Sequence, residues 1–325
     1  MNNNKIKIGV LGCSSIADRL VLPAICNSKK LELACVASRS PEKALEFSRK
    51  YSCKPGTYEN LLDDPEVTAV YVSLPAALHY EWGLKVLNAG KHLLMEKPFT
   101  HSLKTTQHLI DLAAAKKLVA MEALVYIYHP LYKKVHSLVN SNEIGNLRHI
   151  DAYFGFPYPP AEDIRNKPEL GGGAILDNLI YPLSFCMNIT GSTPSGIFPA
   201  IQYNSRMGID ERGAIQLVLG DITAHIVYGF GLMYRNSYCL WGSSGYLSAE
   251  RVFSRPPQEQ GDIVVIKQNE RKLIPIEAAN QFELMLDDFA LKVNQPGQAG
   301  KINQGEEIIN RMKIISGLYE KVLKK

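Results

Sequence analysis

The chain up to residue 123 alternates short apolar runs with amphipathic segments, and this alternation constrains the fold more than any other feature. Segments in this order form β-α-β units, which build a parallel sheet through right-handed crossovers. Ser40 is the expected N-cap of the second helix, and Pro23 is expected to bend or interrupt the first. The predicted strands cover residues 5–11, 31–37, 69–73, 92–95 and 118–123, and the predicted helices cover 16–28, 41–50, 58–62, 77–89 and 102–116. The sequence therefore predicts an α/β domain over residues 1–122.

The remainder of the chain has a different pattern, in which turn residues separate strand-like runs and few helices are predicted. One helix is expected over 174–187, and amphipathic helices over 279–293 and 304–323 close the chain. The predicted strands cover 151–156, 196–203, 214–219, 222–230, 238–241, 247–253, 263–267 and 272–276. We predict a second, α+β domain over residues 123–325 with a large, mostly antiparallel open sheet, and a final helix that packs back on the first domain.

Charge and cysteine usage exclude several classes of protein. The net charge of +4 is spread along the chain without a basic stripe, so no nucleic-acid partner is expected. The most apolar stretch, 118–131, contains Glu122 and His129 and is too polar for a membrane span. The six cysteines form no C-x-x-C pair and lack zinc-ligand spacing, so we predict reduced thiols, no metal site and a cytoplasmic location.

The first strand leads into a glycine- and serine-rich turn. A dinucleotide-binding turn needs glycine for its tight bend and small residues where the backbone meets the pyrophosphate and where helix packs on strand. Gly12, Ser14 and Ala17 meet those needs, although an ordinary turn could have the same composition. We predict a Rossmann domain whose cofactor contacts come from Gly12, Cys13, Ser14, Ser15, Ile16 and Ala17.

The end of the second strand indicates which dinucleotide is bound. NAD-binding proteins place a carboxylate there to hold the ribose hydroxyls, whereas this chain has Ser38, Arg39 and Ser40. Arginine pairs with a 2′-phosphate and stacks on adenine, and the serines can donate hydrogen bonds. The sequence therefore predicts NADP(H) as the cofactor.

Two further segments carry candidate catalytic groups. Glu96, Lys97 and Pro98 follow a buried strand at the edge where ligands bind in open α/β sheets, and the Lys97–Pro98 bond is a candidate for the cis form. The segment 171–181 contains three glycines, then Asp177 and Tyr181 four residues apart on one helix face. Each segment alone could be structural, as an ion pair, a loop or a core aromatic; their joint presence favours a catalytic site.

These residues resemble the family that contains glucose–fructose oxidoreductase, inositol dehydrogenase and the rhizopine-catabolism proteins. The most specific marks are Glu96-Lys97-Pro98 and the G-G-G-x-x-x-D-x-x-x-Y segment, and the resemblance runs from the first strand to the last helix. Many relatives have histidine where this chain has Tyr181, so the chain is most similar to the tyrosine branch. The segments L-G-C-S-S-I-A and L-W-G-S-S-G look like those of nucleotide-sugar 3-ketoreductases. Asn178-Leu179 depart from the family's usual residues.

The resemblance implies roles for individual residues. Tyr181 would be the general acid for ketone reduction, Lys97 would orient the substrate oxygen and depress the pKa of the tyrosine, and Asp177 would help position the substrate. His129 lies on an otherwise apolar stretch, where a histidine is more often structural than a substrate contact. The cofactor contacts would extend to Leu74, Pro75, His79, Glu96, Lys97, Glu122 and Arg165, and the substrate contacts would be Tyr126, His129, Asp177 and Tyr181.

The implied activity is NADPH-dependent reduction of the 3-keto group of a dTDP-linked keto-deoxysugar. One alternative is an NADP-dependent dehydrogenase of a free aldose or a trans-dihydrodiol, since the shape of the pocket decides the substrate. A second is a non-catalytic NADP-binding regulator, which the presence of Lys97, Asp177 and Tyr181 disfavours. By analogy with relatives, the protein is expected to form a homodimer or homotetramer through the C-terminal sheet.

Overall fold

In the computed structural model, residues up to Leu124 group with Phe282–Met312, and Val125–Gln281 group with the residues from Lys313 onward. The structure describes residues 5–268, 270–295 and 304–323. Phe282–Met312 groups with the N-terminal unit. From the sequence, this range was assigned to the second domain, and the final helix was expected to pack back on the first. The boundary between residues 122 and 123 itself stays a prediction.

The first unit contains a six-stranded sheet in the order β3-β2-β1-β4-β5-β6, and all its pairs are parallel, which confirms the predicted α/β architecture. Its central strands are buried on both faces because helices cover the sheet. The short strand β3 was not predicted from the sequence; it contains Pro55, which suits an edge position. The strands are β1 (Ile6–Leu11), β2 (Leu31–Ala37), β3 (Lys54–Gly56), β4 (Ala69–Val72), β5 (His92–Met95) and β6 (Ala120–Glu122).

Local signals set the helices between these strands. The Ser40 hydroxyl accepts a hydrogen bond from the Lys43 amide at 3.3 Å, which confirms it as the N-cap. Gly90, at φ +73°, lies just beyond the fourth helix. The helices are α1 (Leu22–Asn27), α2 (Pro41–Tyr51), α3 (Tyr58–Asp63), α4 (His79–Asn88) and α5 (Leu103–Ala115), and the chain ends with α8 (Gln281–Val293) and α9 (Gln304–Leu323). Among the helices of the described residues, none is both long enough and apolar enough to span a bilayer.

Two predicted helices begin with a π-helical turn rather than a regular α-helix. Residues Ala17–Val21 form such a turn directly before α1, and Pro23 is the second residue of α1. The regular α-helical pattern is thus interrupted next to Pro23, as predicted. Ile175–Leu179 form the second, before α7 (Ile180–Thr190). π-helical turns are frequent at functional sites, and both of these carry predicted site residues.

The second unit contains an eight-stranded sheet in the order β14-β13-β12-β11-β7-β10-β9-β8. The sheet is mostly antiparallel, as predicted, but β7 and β10 pair in parallel because β7 inserts between β11 and β10. The strands are β7 (Leu147–Phe156), β8 (Gly196–Asn204), β9 (Ile209–Leu219), β10 (Ile222–Phe230), β11 (Arg235–Gly242), β12 (Tyr246–Glu250), β13 (Gly261–Lys267) and β14 (Glu270–Ile276).

The two faces of this sheet differ in burial. On one face Ile150, Ala224 and Leu240 are buried, and Phe185 of α7 stacks on Tyr238 with ring centroids 4.2 Å apart. The register places Phe198, Gln216, His225, Asp151, Cys239, Ser248, Val264 and Leu273 in one row across the opposite face, which is more exposed.

Helix α6 (Pro130–Asn140) was not predicted from the sequence. Pro130 occupies its first turn, and the cap is His129, whose ring nitrogen accepts from the Leu131 amide. The buried positions Leu131, Val135 and Leu138 have helical spacing, which is the signal that could have located this element.

Candidate active site

The phosphate-binding turn is shaped by one glycine that no other residue could replace without strain. Gly12 has φ +107°, and a Cβ there would lie 2.4 Å from the carbonyl oxygen of Ser73. The Ser14 hydroxyl lies 2.5 Å from the Ser73 hydroxyl and accepts a hydrogen bond from the Ala17 amide at 3.1 Å. The backbone therefore reaches the start of the helical segment with small, uncharged side chains around it, which suits an approaching anion.

The loop after β2 lies beside this turn. Arg39 is exposed, and the buried Tyr58 hydroxyl interacts with it. Ser38 accepts from the Ser40 amide at 3.2 Å, and Ser40 caps α2. Burial raises the pKa of Cys13 to about 11, so this thiol is neutral at physiological pH and is no nucleophile. An exposed guanidinium at this position remains available to a phosphate.

The cis form of the Lys97–Pro98 bond is confirmed. The preceding residue, Glu96, accepts from the Tyr71 hydroxyl at 2.5 Å and from the Lys97 amide at 3.2 Å, and burial raises the pKa of this carboxyl. Lys97 is half-buried at the carboxyl end of β5. Glu96 therefore holds the backbone of the segment that carries Lys97.

His79 joins two loops of the first unit. Its ring nitrogens lie 2.7 Å from the Pro98 carbonyl oxygen and 2.8 Å from that of Leu74. A neutral imidazole has one N–H, so only one of these contacts is a hydrogen bond in that form. Burial lowers the pKa of His79. The buried ring thus connects the loop at Leu74 and Pro75 to the segment after Lys97.

Glu122 and a residue from α9 form a buried ion pair within the same unit. One carboxylate oxygen accepts from the Phe99 amide at 2.7 Å, and the other accepts from the guanidinium of Arg311, which also pairs with Glu307 at 2.5 Å. Both oxygens of Glu122 are therefore engaged within the protein. Its predicted contact with the cofactor stays a prediction, and the structure gives it a definite role in holding the loop at Phe99.

The triple-glycine segment of the second unit leads into the second π-helical turn. Gly171 and Gly173 have φ of +80° and +108°. The Gly173 amide donates to the Arg165 carbonyl oxygen at 3.0 Å, and a Cβ at Gly172 would lie 2.5 Å from that oxygen. The lack of side chains at these glycines thus lets the loop pack closely against the backbone at Arg165.

Asp177 has a fixed cationic partner. Arg165 donates from Nε to the Asp177 carboxylate at 2.8 Å and from NH1 to Asp163 at 3.1 Å. Both partners of this pair were predicted site residues, Arg165 for the cofactor and Asp177 for the substrate. The structure joins them in one ion pair, and their ligand contacts stay predictions.

Tyr181 lies on the first turn of α7 among aromatic rings. Its ring centroid is 5.2 Å from that of Phe154 and 6.0 Å from that of Phe253. The amide of the buried Asn178, one of the two unusual residues at this point, donates to the Phe154 carbonyl oxygen at 3.3 Å. The substitution at 178 therefore fixes the strand that supports the Tyr181 ring.

The remaining predicted substrate residues are buried. The Tyr126 hydroxyl lies 3.0 Å from the Ser184 hydroxyl, and its ring is fully buried. His129 caps α6, and burial lowers its pKa to about 4, so the ring is neutral at pH 7. These contacts favour the structural interpretation of His129. In the described ranges, no group of three or more His, Cys, Asp or Glu side chains could hold a metal ion.

Comparison with known proteins identifies the class of both units. A family model described as "Oxidoreductase family, NAD-binding Rossmann fold" matches residues 6–124, and one for the GFO/IDH/MocA C-terminal domain matches residues 132–248. The chain belongs to the GFO/IDH/MocA oxidoreductase family. The family resemblance expected from Glu96-Lys97-Pro98 and the glycine segment is confirmed.

Members of this family align with the chain over nearly its whole length. A dTDP-3,4-didehydro-2,6-dideoxy-alpha-D-glucose 3-reductase from Saccharopolyspora spinosa is 36% identical over 96% of both chains. The structure of KijD10, a 3-ketoreductase from Actinomadura kijaniata in complex with NADP and TDP-benzene, has a TM-score of 0.91 at 30% identity and covers 96% of each chain. A form of KijD10 with one tyrosine replaced by phenylalanine has a TM-score of 0.92 at 30% identity, covering 98% of each chain.

Three residues that support the candidate active site of this protein could not be found from the sequence. Ser73 and Arg311 contact the predicted site residues Ser14 and Glu122, and Asp210 contacts the backbone of the segment that contains Asp177; none of the three belongs to a motif. Arg311 had one weak signal, because it occupies a buried-face position of an amphipathic helix, four residues after Glu307.

Proposed function

We propose that the protein reduces the 3-keto group of a dTDP-linked keto-deoxysugar to an alcohol, with NADPH as the reductant. The observation that carries this proposal is the 36% identity over 96% of both chains to a 3-reductase of such a sugar. The 3-ketoreductase that shares this fold was solved with NADP and a TDP compound, which agrees with the same pair of ligands here.

The residues around Gly12 fit a dinucleotide. Gly12 has a positive φ, and a Cβ there would collide with the Ser73 carbonyl oxygen, so this position carries no side chain. A pyrophosphate could therefore approach the backbone here. Arg39, with Ser38 and Ser40, would hold the 2′-phosphate that distinguishes NADPH from NADH. When bound, NADPH supplies the hydride for the keto carbon.

Tyr181 supplies the proton. Its phenol O–H bond breaks as the proton moves to the substrate oxygen, which becomes the alcohol hydroxyl. Phe154 and Phe253 restrict the ring, so little freedom is lost when the substrate binds. Lys97 would stabilise the developing negative charge on that oxygen, and Asp177, held by Arg165, would position the sugar.

The test is NADPH oxidation by the purified protein with dTDP-3,4-didehydro-2,6-dideoxy-α-D-glucose as substrate. Tyr181→Phe and Lys97→Ala should each lower kcat by about 10²- to 10⁴-fold, because each removes a group that acts on the substrate oxygen. Tyr181→Phe should leave the Kd for NADPH unchanged. Unchanged kcat in both variants would refute the assigned roles.

Tyr238→Phe is the matched control. It removes a hydroxyl without a hydrogen-bond partner in the described structure, from the same aromatic cluster, and it should leave kcat unchanged. NADPH binding without turnover of the keto-sugar would instead direct the assay to free aldoses and trans-dihydrodiols with NADP⁺. Failure to bind NADPH would contradict an enzyme of this class.

We also propose a cytoplasmic homodimer or homotetramer that associates through the exposed face of the eight-stranded sheet. Phe198, Trp241 and Leu273 lie on that face and are 64%, 63% and 50% exposed. Apolar side chains exposed on one continuous face are typical of an association surface. All six cysteines are free thiols, which agrees with a reducing compartment. Sedimentation of Trp241→Arg against wild type tests the association.

A further inference from the structure

Asp210 is a buried carboxylate that the proposed reaction does not use. It lies near the start of β9 and is 1% exposed. One carboxylate oxygen accepts from the Ile175 amide at 2.5 Å, and the other accepts from the Tyr319 hydroxyl at 3.3 Å. Ile175 is the first residue of the π-helical turn that contains Asp177 and precedes Tyr181. A carboxylate at this point satisfies an N–H group at the start of the helical segment and complements its dipole.

Gly173, the last glycine of the triple-glycine segment, leaves the space that this carboxylate occupies. A Cβ at Gly173 would lie 2.4 Å from Oδ1 of Asp210, and its φ of +108° disfavours other residues independently. The space beside Gly173 is therefore filled by a side chain of the protein itself. The Asp177 amide in turn donates to the Gly173 carbonyl oxygen at 3.3 Å.

The segment is therefore connected at both ends. Arg165 accepts from the Gly173 amide with its carbonyl oxygen and donates to the Asp177 carboxylate with its guanidinium. Asp210 holds the residue between them, Ile175. Without the contact at Ile175, the first turn could rotate about the helix axis. The side chains that follow it would then point in other directions.

We propose that Asp210, in its ionised form, is a positioning residue that sets the orientation of Asp177 and Tyr181 through the first turn of their helical segment. This inference rests on the catalytic roles proposed for those two residues. Asp210 acts through the backbone at Ile175 and does not contact substrate or cofactor.

The electrostatic surroundings of Asp210 make its charge dependent on pH. Burial raises the pKa of Asp210 to about 6, and the amides of Ile175 and Ala174, its own amide and the Tyr319 hydroxyl oppose that rise. The titratable side chains that face it are the phenols of Tyr319 on α9 and Tyr228 on β10, and both stay neutral near pH 6 because their pKa values are raised. Acidification through this range should therefore protonate Asp210 and weaken its hold on the turn.

The experiment is a kcat–pH profile from pH 5 to 8.5 for wild type, Asp210→Asn and Tyr319→Phe. We expect wild-type kcat to fall on the acid side with a midpoint near 6. Asp210→Asn should have a kcat about 10- to 100-fold lower at pH 8 and should lack that acid limb, because the turn is displaced and nothing titrates. Tyr319→Phe should keep its kcat at pH 8 and move the limb to higher pH, since a hydrogen bond to the carboxylate is lost.

The outcomes separate this inference from the proposed function. A wild-type acid limb that persists unchanged in Asp210→Asn overturns the inference, and so does a variant whose kcat matches wild type at every pH. Absence of turnover by wild type would contradict the proposed function instead. Circular dichroism and the Kd for NADPH, both expected to match wild type in Asp210→Asn, show that the variant is folded and that its first unit is intact.

Discussion

Gly12 in the first unit and Gly173 in the second have nearly the same backbone angle, φ +107° and +108°. A Cβ at either position would lie 2.4 Å from an oxygen atom, and each glycine precedes a five-residue π-helical turn followed by an α-helix. The two units therefore start a helical segment with the same local solution, although the first follows a parallel strand and the second follows a loop.

The difference lies in what faces the start of each segment. In the first unit it is the neutral hydroxyls of Ser14 and Ser73. In the second unit it is the Asp210 carboxylate. The positive end of a helix attracts an anion, and an internal carboxylate satisfies that attraction. We therefore expect the first turn to bind an external phosphate, and we propose that the second orients the side chains that follow it.

Alanine substitution at Gly12 and Gly173 should have the largest effects and tests directly whether the two glycines play the same local role. Gly12→Ala and Gly173→Ala should each lower the free energy of unfolding by about 2 to 6 kcal/mol, from backbone strain and overpacking together. Gly12→Ala should also weaken NADPH binding, because a backbone carbonyl is displaced. Gly173→Ala should lower kcat and leave the Kd for NADPH near wild type. Chemical denaturation and fluorescence titration measure these effects.

Each unit offers a matched control for this experiment. Gly90 and Gly191 also have positive φ, +73° and +62°, but a Cβ at either would meet nothing within 4 Å. Alanine at these positions should cost only the backbone term, about 1 to 2 kcal/mol, without a change in NADPH binding or kcat. Equal losses at all four glycines would contradict the role assigned to the close contacts.

Two buried carboxylates, Glu122 and Asp210, extend the comparison, because Glu122 is paired with a guanidinium whereas Asp210 is held by an amide and a phenol. Arg311→Met should lower the free energy of unfolding by about 3 to 5 kcal/mol, because Glu122 is left as an unpaired buried charge. The double variant with Glu122→Gln should recover much of that loss. Urea denaturation of the single and double variants gives both values, and a single-variant loss below about 1 kcal/mol would argue against a stabilising pair.

Whereas Arg311→Met should lower the free energy of unfolding, Asp210→Asn should raise it at pH 8. The pKa of Asp210 in the folded protein, about 6, lies above the unfolded value of 3.8, so the folded state holds the proton more tightly. Stability linked to this group is complete below pH 3.8 and is lost as the pH rises through about 6. The difference of about two pH units corresponds to about 3 kcal/mol.

Asp210→Asn should therefore be more stable than wild type at pH 8, by up to about 3 kcal/mol, and the gap should close toward pH 4. Thermal unfolding at several pH values measures this. A variant that is less stable than wild type at pH 8 would mean that the carboxylate is held by stronger favourable contacts than those of Ile175 and Tyr319.

Much of the fold followed from local patterns. The predicted bounds of β2, β5, β10 and α9 match the structure, because each is an uninterrupted run with one periodicity and a clear end. The parallel pairing of β7 with β10 could not be predicted, since strand periodicity says which face is buried but not which strand lies alongside. Helix α6 was missed because its cap is a histidine rather than a serine, threonine or aspartate.

In the candidate site, too, some residues could be found from the sequence and others could not. Gly12, Lys97, Asp177 and Tyr181 stand out in the sequence because their residue types and spacing suit a chemical purpose. The residues that hold them do not stand out. Arg311 pairs with Glu122 across 189 positions of sequence, and Asp210 reaches Ile175 across 35.

The sequence by itself determined where most of the helices and strands form, and it supplied the candidate phosphate-binding turn and the candidate catalytic side chains. The tertiary structure decided which partner each buried charge has. The physical reason is that local periodicity is set by neighbouring residues, whereas a buried carboxylate must be compensated by groups that only the folded chain brings to it. Glu122 is compensated by a guanidinium and Asp210 by backbone amides and a phenol, and these partners make one a fixed support and the other a group that titrates near pH 6.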